Sequence, residues 1–156
     1  MIETLYTRPA PSAGEQAPLL QATLVELIDL ALQGKQAHWN VVGPAFKPVH
    51  EFLDAIVGDV RTWYDDVAER MAALGVAPDG RSVTVAATTP LPQVPTGFLK
   101  DRAVLEAFDE RLGTVSEALA DRAATIGELD LASQDLLVEI LRGIDKHRWM
   151  LHAHLV

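Results

Sequence analysis

The sequence predicts an all-α fold, a bundle of four long helices with one extended crossover between the second and the third. Three observations carry this. Apolar residues recur at helical spacing over four separate stretches of about 20–27 residues. Glycine and proline punctuate the boundaries between them. The segment from Val76 to Lys100 holds four prolines and two glycines, and is too long for an antiparallel hairpin connection, which takes about 2–8 residues. At 156 residues the chain makes one domain with room for a real core.

The first 16 residues, with Pro9, Pro11 and Gly14, read as an N-terminal arm, leaving 17–156 as the bundle domain. Leu20, Leu24, Leu27, Ala31 and His38 then mark a first helix from about Pro18 to Asn40, its apolar face widened by Val25, Ile28 and Leu32. Gly43-Pro44 breaks it. A second helix begins near Pro48, where the first turn tolerates proline, and stops at Gly75. The crossover leaves room for a short helix in SVTVAATT. A third helix follows Asp101 as N-cap, with Leu105, Phe108, Leu112, Val115, Leu119 and Ile126 as its core stripe. A fourth starts near Ser133 and carries Leu137, Leu141, Ile144 and Leu151. Four helices with one long crossover have the connectivity of a ferritin-like bundle.

Composition narrows the function classes. Hydrophobic residues at 49% with 22% charged describe a folded globular chain. No apolar run reaches the ~20 residues of a membrane span. MIETLYTRPAPSAGEQ lacks the basic start and apolar core of a secretory leader, so a cytoplasmic location is expected. Without cysteine there is neither a disulfide nor a thiolate metal site. A formal charge of −9 speaks against general nucleic-acid binding and suits a protein that attracts cations.

The second helix carries an unusual polar stripe. At ~100° per residue, His50, Asp54, Gly58, Arg61, Asp65 and Glu69 fall within a sector about 100° wide. His50 and Asp54 are one turn apart, as are Asp65 and Glu69, so each pair can offer two ligand atoms to one ion. Asp54 and Asp65, eleven residues apart, are separated by about 16 Å along the axis and cannot reach the same ion within one chain. An antiparallel second copy resolves this. Its Asp65–Glu69 pair would face the first chain's His50–Asp54 pair, with the dyad near Gly58-Asp59, and a two-fold dimer would hold two equivalent sites.

Taken singly, each feature has an ordinary reading. A lone histidine on an apolar face is more often a hydrogen-bonded core residue, an acidic run is a solvated face, and Asp54–Arg61 or Arg61–Asp65 would be surface ion pairs. In combination, two acidic pairs on one stripe call for a cation or full solvation. The Glu-x-x-His pattern of intrachain di-iron bundles is absent, since no glutamate precedes a histidine by three.

KQAHWNVVGPAFKPVHEFLD, followed by YDDVAERMAALG, resembles the DNA-protection-during-starvation family (Dps, the miniferritins). LYTR, ATTPLPQVP and IDKHRWML extend the likeness along nearly the whole chain. The resemblance implies a ferritin-like bundle assembled into a hollow dodecamer. It further implies ferroxidase sites at the two-fold interfaces, where iron(II) is oxidised, preferentially by hydrogen peroxide, and ferric mineral is stored inside. His38, His50 and Asp54 of one chain would face Asp65 and Glu69 of its partner, with room for two iron ions per site and no organic cofactor. Asp54 and Glu69 are the direct carboxylate ligands it suggests, with Asp65 direct or acting through water. Trp39 is either a sink for stray oxidising equivalents or a packing aromatic. Imidazole and carboxylate donors suit iron(II), and would also take zinc or manganese. Acidic iron-access pores near the start of the fourth helix would draw on Asp130 and Asp135, with Glu128 beside them; the competing reading is acids favoured by a helix N-terminus.

Many members of that family bind DNA through a lysine-rich arm. Here the first seventeen residues hold one basic residue, Arg8, and the C-terminal His154-Leu155-Val156 is not basic, so DNA binding is expected to be weak or absent. His152 and His154 point to different faces and read as a frayed end, while Trp63 and Trp149 read as packing residues. The alternatives are a nucleoid-associated protein with a structural metal site and a plain helical interaction module.

Overall fold

The computed structural model describes residues 13–156. The elements are α1 (Ala13–Asn40), β1 (Val41–Val42), α2 (Phe46–Ala73), α3 (Ser82–Thr88), β2 (Leu99–Lys100), α4 (Asp101–Gly127) and α5 (Leu131–His152). The fold is the expected bundle, α1 packed along α2 and α4 along α5, with the short α3 in the crossover. Residues 1–12 of the arm, including LYTR and Arg8, lie outside the described residues.

Several boundaries differ from the expectation. α1 is already helical at Ala13, the first described residue, so Pro18 lies inside the helix rather than at its start, in a stretch where Ala13 and Gln16 are buried. α2 begins at Phe46, two residues before Pro48. It ends as expected at Gly75, whose φ of +79° lets Gly75 N–H donate to Ala72 O (2.9 Å) and Val76 N–H to Met71 O (3.0 Å), a Schellman closure. α5 begins at Leu131, not Ser133, because Asp130 caps it by accepting from Ala132 N–H. Asp101 is the first residue of α4 rather than its cap.

The core stripes of the third and fourth long helices are buried as read, Leu141 only partly. Leu32 is not part of the core: it is 60% exposed. The face of α1 that would have been solvated is instead covered by the crossover through a buried polar network. Asp29 accepts from Gln33 Nε2 (2.9 Å) and Thr89 Oγ1 (2.6 Å), and Gln33 Oε1 accepts from Val94 N–H (2.9 Å) and Arg111 Nε (3.0 Å). Arg111 also donates to Pro92 O at 2.7 Å, so each of these buried groups is partnered.

The far edge of α2 is shared with α5. Phe52, Asp59, Trp63 and Arg70 fall within about 40° of one another around the helix, and all meet α5. His147, 4% exposed, donates from Nε2 to Asp59 Oδ2 at 2.7 Å, edged by Phe52 and Trp63. Trp63 lies against Gly143, where an added Cβ would come within 2.2 Å of the ring. Arg70 donates to Asp130 (2.5 Å) and to Ser133 Oγ (2.9 Å).

Two outcomes follow. Asp130 is partly buried, which favours its protonated form, but hydrogen bonds from Arg70, Ser133 and Ala132 N–H prevail and hold its pKa at about 2, below the ordinary 3.8. A depressed carboxyl pKa stabilises the fold fully above pH 3.8 and loses that contribution as pH falls through about 2. Arg70→Met should therefore lower the stability of the chain at neutral pH by about 2 kcal/mol. In urea titrations its deficit relative to wild type should shrink towards zero near that acid limit. Gly43 has φ +142°, and a Cβ there would meet the Asp101 carboxylate at 2.4–2.7 Å. Gly43→Ala should cost about 2–4 kcal/mol in the same assay.

Candidate metal centre

The centre is built on the turn between α1 and α2. β1 pairs in parallel with β2, Val41 opposite Leu99 and Val42 opposite Lys100, which ties the end of α1 to the start of α4. Asp101 then occupies the space a side chain at Gly43 would need. Its Oδ2 accepts the Ala45 N–H at 2.6 Å, at the N-terminus of α2, so a residue of α4 supplies what a local cap would. The chain is thereby returned with the first turns of α2 beside the last turn of α1.

This juxtaposes His38 and His50, whose rings stack with centroids 3.6 Å apart and planes 20° from parallel. Each bonds the other's backbone: His38 Nδ1 donates to His50 O (2.8 Å), and His50 Nδ1 donates to His38 O (2.9 Å). A carbonyl oxygen can only accept, so the proton of each neutral imidazole is on Nδ1 and the lone pair is on Nε2. That is the tautomer a metal requires, with the second nitrogen held by a carbonyl. His38 is buried, His50 is half-buried, and Phe46 lies 5.0 Å from the His50 ring.

Asp54, one turn along α2, brings Oδ1 to 3.5 Å from His38 Nδ1. Neither Asp54–Arg61 nor Arg61–Asp65 pairs; Asp54 takes Lys35 instead, with Nζ 2.6 Å from Oδ1. That hydrogen bond holds the Asp54 carboxyl below the usual carboxylate range, against a desolvation that works the other way, and the neighbouring imidazoles add to it. Lys35 was missed in the sequence, although its position three residues before His38 puts it on the same helix edge. The ammonium sits where the donor set calls for a cation.

The structure brings His38, His50 and Asp54 together and leaves Asp65 and Glu69 apart, exposed farther along α2. Among the described residues no cluster of three or more histidine, aspartate or glutamate side chains is placed to hold a metal ion. One chain therefore carries two imidazoles and a carboxylate on one side, and two carboxylates elsewhere. Trp39 is 66% exposed, with Lys35 Nζ 5.9 Å from its ring centroid. Asp130 is committed to its cap and to Arg70, whereas Asp135 and Glu128 are exposed. Trp63 packs as expected, but Trp149 is 69% exposed beside Asp109, Asp145, Arg148 and His152.

Comparison with known proteins places the chain as a whole. Residues 18–156 match the model of the ferritin-like domain family. The chain is 37% identical over 93% of its length to DNA protection during starvation protein 2 of Deinococcus radiodurans, and spans 62% of that relative. It is 44% identical to the fine tangled pili major subunit of Haemophilus ducreyi, over 89% of this chain and 74% of the other. The tetragonal form of Mycobacterium smegmatis Dps superposes with a TM-score of 0.91 at 35% identity, covering 97% of this chain and 94% of that one. With the bundle, its crossover and the paired histidines in place, these likenesses establish that the chain belongs to the Dps family of ferritin-like proteins.

Proposed function

We propose that the protein oxidises iron(II) and stores the ferric product inside a hollow dodecamer, at centres shared between two-fold-related chains. The observation that carries this is the half-built site. Two imidazoles whose Nδ1 atoms are committed to backbone carbonyls, leaving Nε2 as the nitrogen for a metal, lie beside a carboxylate on one chain, while the acidic pair Asp65–Glu69 is exposed on the same helix, too far along it to join them. Gly58 lies between the two half-sites, and an added Cβ there meets nothing within 4 Å, so two α2 helices can approach closely at that point.

Iron is the substrate. His38, His50 and Asp54 of one chain, with Glu69 and Asp65 of the partner, hold it with donors suited to the ferrous ion. Hydrogen peroxide is the proposed oxidant. Two ferrous ions each give up one electron, the O–O bond breaks, and with two protons taken up both oxygens leave as water. Delivering both electrons together avoids releasing a hydroxyl radical. Hydrolysis of the ferric ions then returns protons and builds the mineral. Trp39, exposed beside the site, is the group in reach of stray oxidising equivalents.

Asp135 and Glu128 are the exposed acids for an iron-access pore, with Asp130 adjacent. The formal charge of −9 makes DNA a poor ligand, so protection would come from removing iron and peroxide, in the cytoplasm. Among the described residues no helix is long and apolar enough to cross a membrane.

Mixed assemblies test the shared centre. His38→Ala/His50→Ala chains and Asp65→Ala/Glu69→Ala chains should each fail to oxidise iron(II) when peroxide is added anaerobically, followed by ferric absorbance. Co-assembled at random, half the dimers are mixed and each holds one intact centre, so about a quarter of the wild-type rate should return. No recovery in a particle of wild-type mass would refute the arrangement.

A further inference from the structure

We propose that Asp101, a residue of α4, is a positioning residue of the metal centre: by capping α2 across the turn it holds His38 and His50 where both present Nε2 to a metal. The inference rests on the shared centre proposed above. Among the described residues α2 has no local cap. Ala45 precedes it without a side-chain bond of its own, and the first turn carries no acid. The Asp101 carboxylate fills both gaps, Oδ2 accepting the Ala45 N–H at 2.6 Å while Oδ1 accepts the Arg102 N–H at 2.8 Å. It stands where a Cβ on Gly43 would come within 2.4–2.7 Å, so the glycine and the carboxylate make one contact. The bridge of β1 to β2, whose last residue is Lys100, delivers Asp101 to that place.

His50 lies one turn beyond Phe46, the first residue of α2, so a shift of the helix start moves the His50 ring and its carbonyl together. The clasp depends on that position twice, since His38 Nδ1 donates to His50 O at 2.8 Å and His50 Nδ1 to His38 O at 2.9 Å. A displacement of about 1 Å takes both beyond hydrogen-bond length. Each neutral imidazole is then free to carry its proton on Nε2, the nitrogen a metal would need. Asp101 thus acts through the turn, by deciding which tautomer the two histidines hold.

Imidazole nitrogen-15 spectra and zinc, which has no redox chemistry, are the probes. In metal-free wild-type assemblies the His38 and His50 signals should be those of the Nδ1–H tautomer. In Asp101→Ala an Nε2–H population should appear at one or both, and zinc should bind about tenfold more weakly by calorimetry. Asp101→Asn keeps an oxygen for the Ala45 N–H and should stay within about threefold of wild type. Gly43→Ala displaces the carboxylate from the other side and should reproduce the Asp101→Ala spectra, which keeps the test open if Asp101→Ala does not assemble. Combined, the two substitutions should weaken zinc binding no more than the stronger single one, because they break the same contact. Arg122→Met, which unpairs the buried Glu26, controls for lost stability: it should lower the thermal midpoint and leave tautomers and zinc affinity unchanged. Wild-type tautomers and zinc affinity in Asp101→Ala, or an equal loss in Arg122→Met, would overturn the role of Asp101 and leave the shared centre standing. An Asn variant as weak as the Ala variant would overturn the positional role. Zinc bound equally well by His38→Ala/His50→Ala chains would overturn both proposals.

Discussion

The reciprocal clasp of His38 and His50 is the interaction on which the centre depends. A helix C-terminus leaves its last carbonyls without intrahelical partners, and His38 O is one of them. His50 satisfies it with Nδ1–H, while the His38 ring donates to the spare lone pair of a carbonyl in the first turns of α2. The two bonds thus cap a helix, set two ring orientations and choose two tautomers together. Neither ring could turn to present Nδ1 outward without orphaning a carbonyl, so the backbone leaves Nε2 as the nitrogen each ring could offer a metal.

The clasp in turn needs the chain to reverse within a few residues, and α4 does much of that work. Asp101 reaches the Ala45 N–H only because Gly43 has no side chain in the way, and the β1–β2 bridge sets the distance between them. α2 divides its circumference among three tasks. Val49, Leu53, Ile56, Val60 and Val67 fill the core. Phe52, Asp59, Trp63 and Arg70 grip α5, and His50 and Asp54 border α1. What is left is a sector with Gly58, Asp65 and Glu69, exposed among the described residues. That is the surface a single bundle would leave polar and an assembly would use.

Much of this was legible in the residues. The long helices, the crossover and the His50–Asp54 pair follow from periodicity and from the Gly-Pro break, because these are local signals; His38 joined them through the family resemblance. What was not legible is what depends on contacts distant in sequence. Asp101 read as a cap for its own helix, and only the fold shows it serving α2. Asp29, Gln33 and Arg111 carry no local signal, because their partners Thr89, Val94 and Pro92 come from the crossover laid across them. Leu32 fits the apolar period and is nevertheless exposed, since period shows which residues share a face but not which neighbour covers it. Lys35 was within reach of the helical-spacing rule, yet a lone lysine on an acidic chain carries no signal until its partner is known.

Dividing the donors between chains, as proposed, would have a thermodynamic consequence. Two antiparallel α2 helices would bring Asp65 and Glu69 of each chain against Asp54 of the other, so without cations the contact gathers like charges from a chain whose formal charge is already −9. Lys35, paired with Asp54, would offset part of that from within, and bound metal would offset the remainder. An ion that binds only the paired state stabilises it by mass action, and assembly reciprocally tightens the ion. A site contained in one chain would have no such dependence, and a free subunit would then be able to reduce peroxide where no cavity receives the product. In the proposed arrangement, splitting the centre would confine the chemistry to the assembled state, where the ferric product would have somewhere to go.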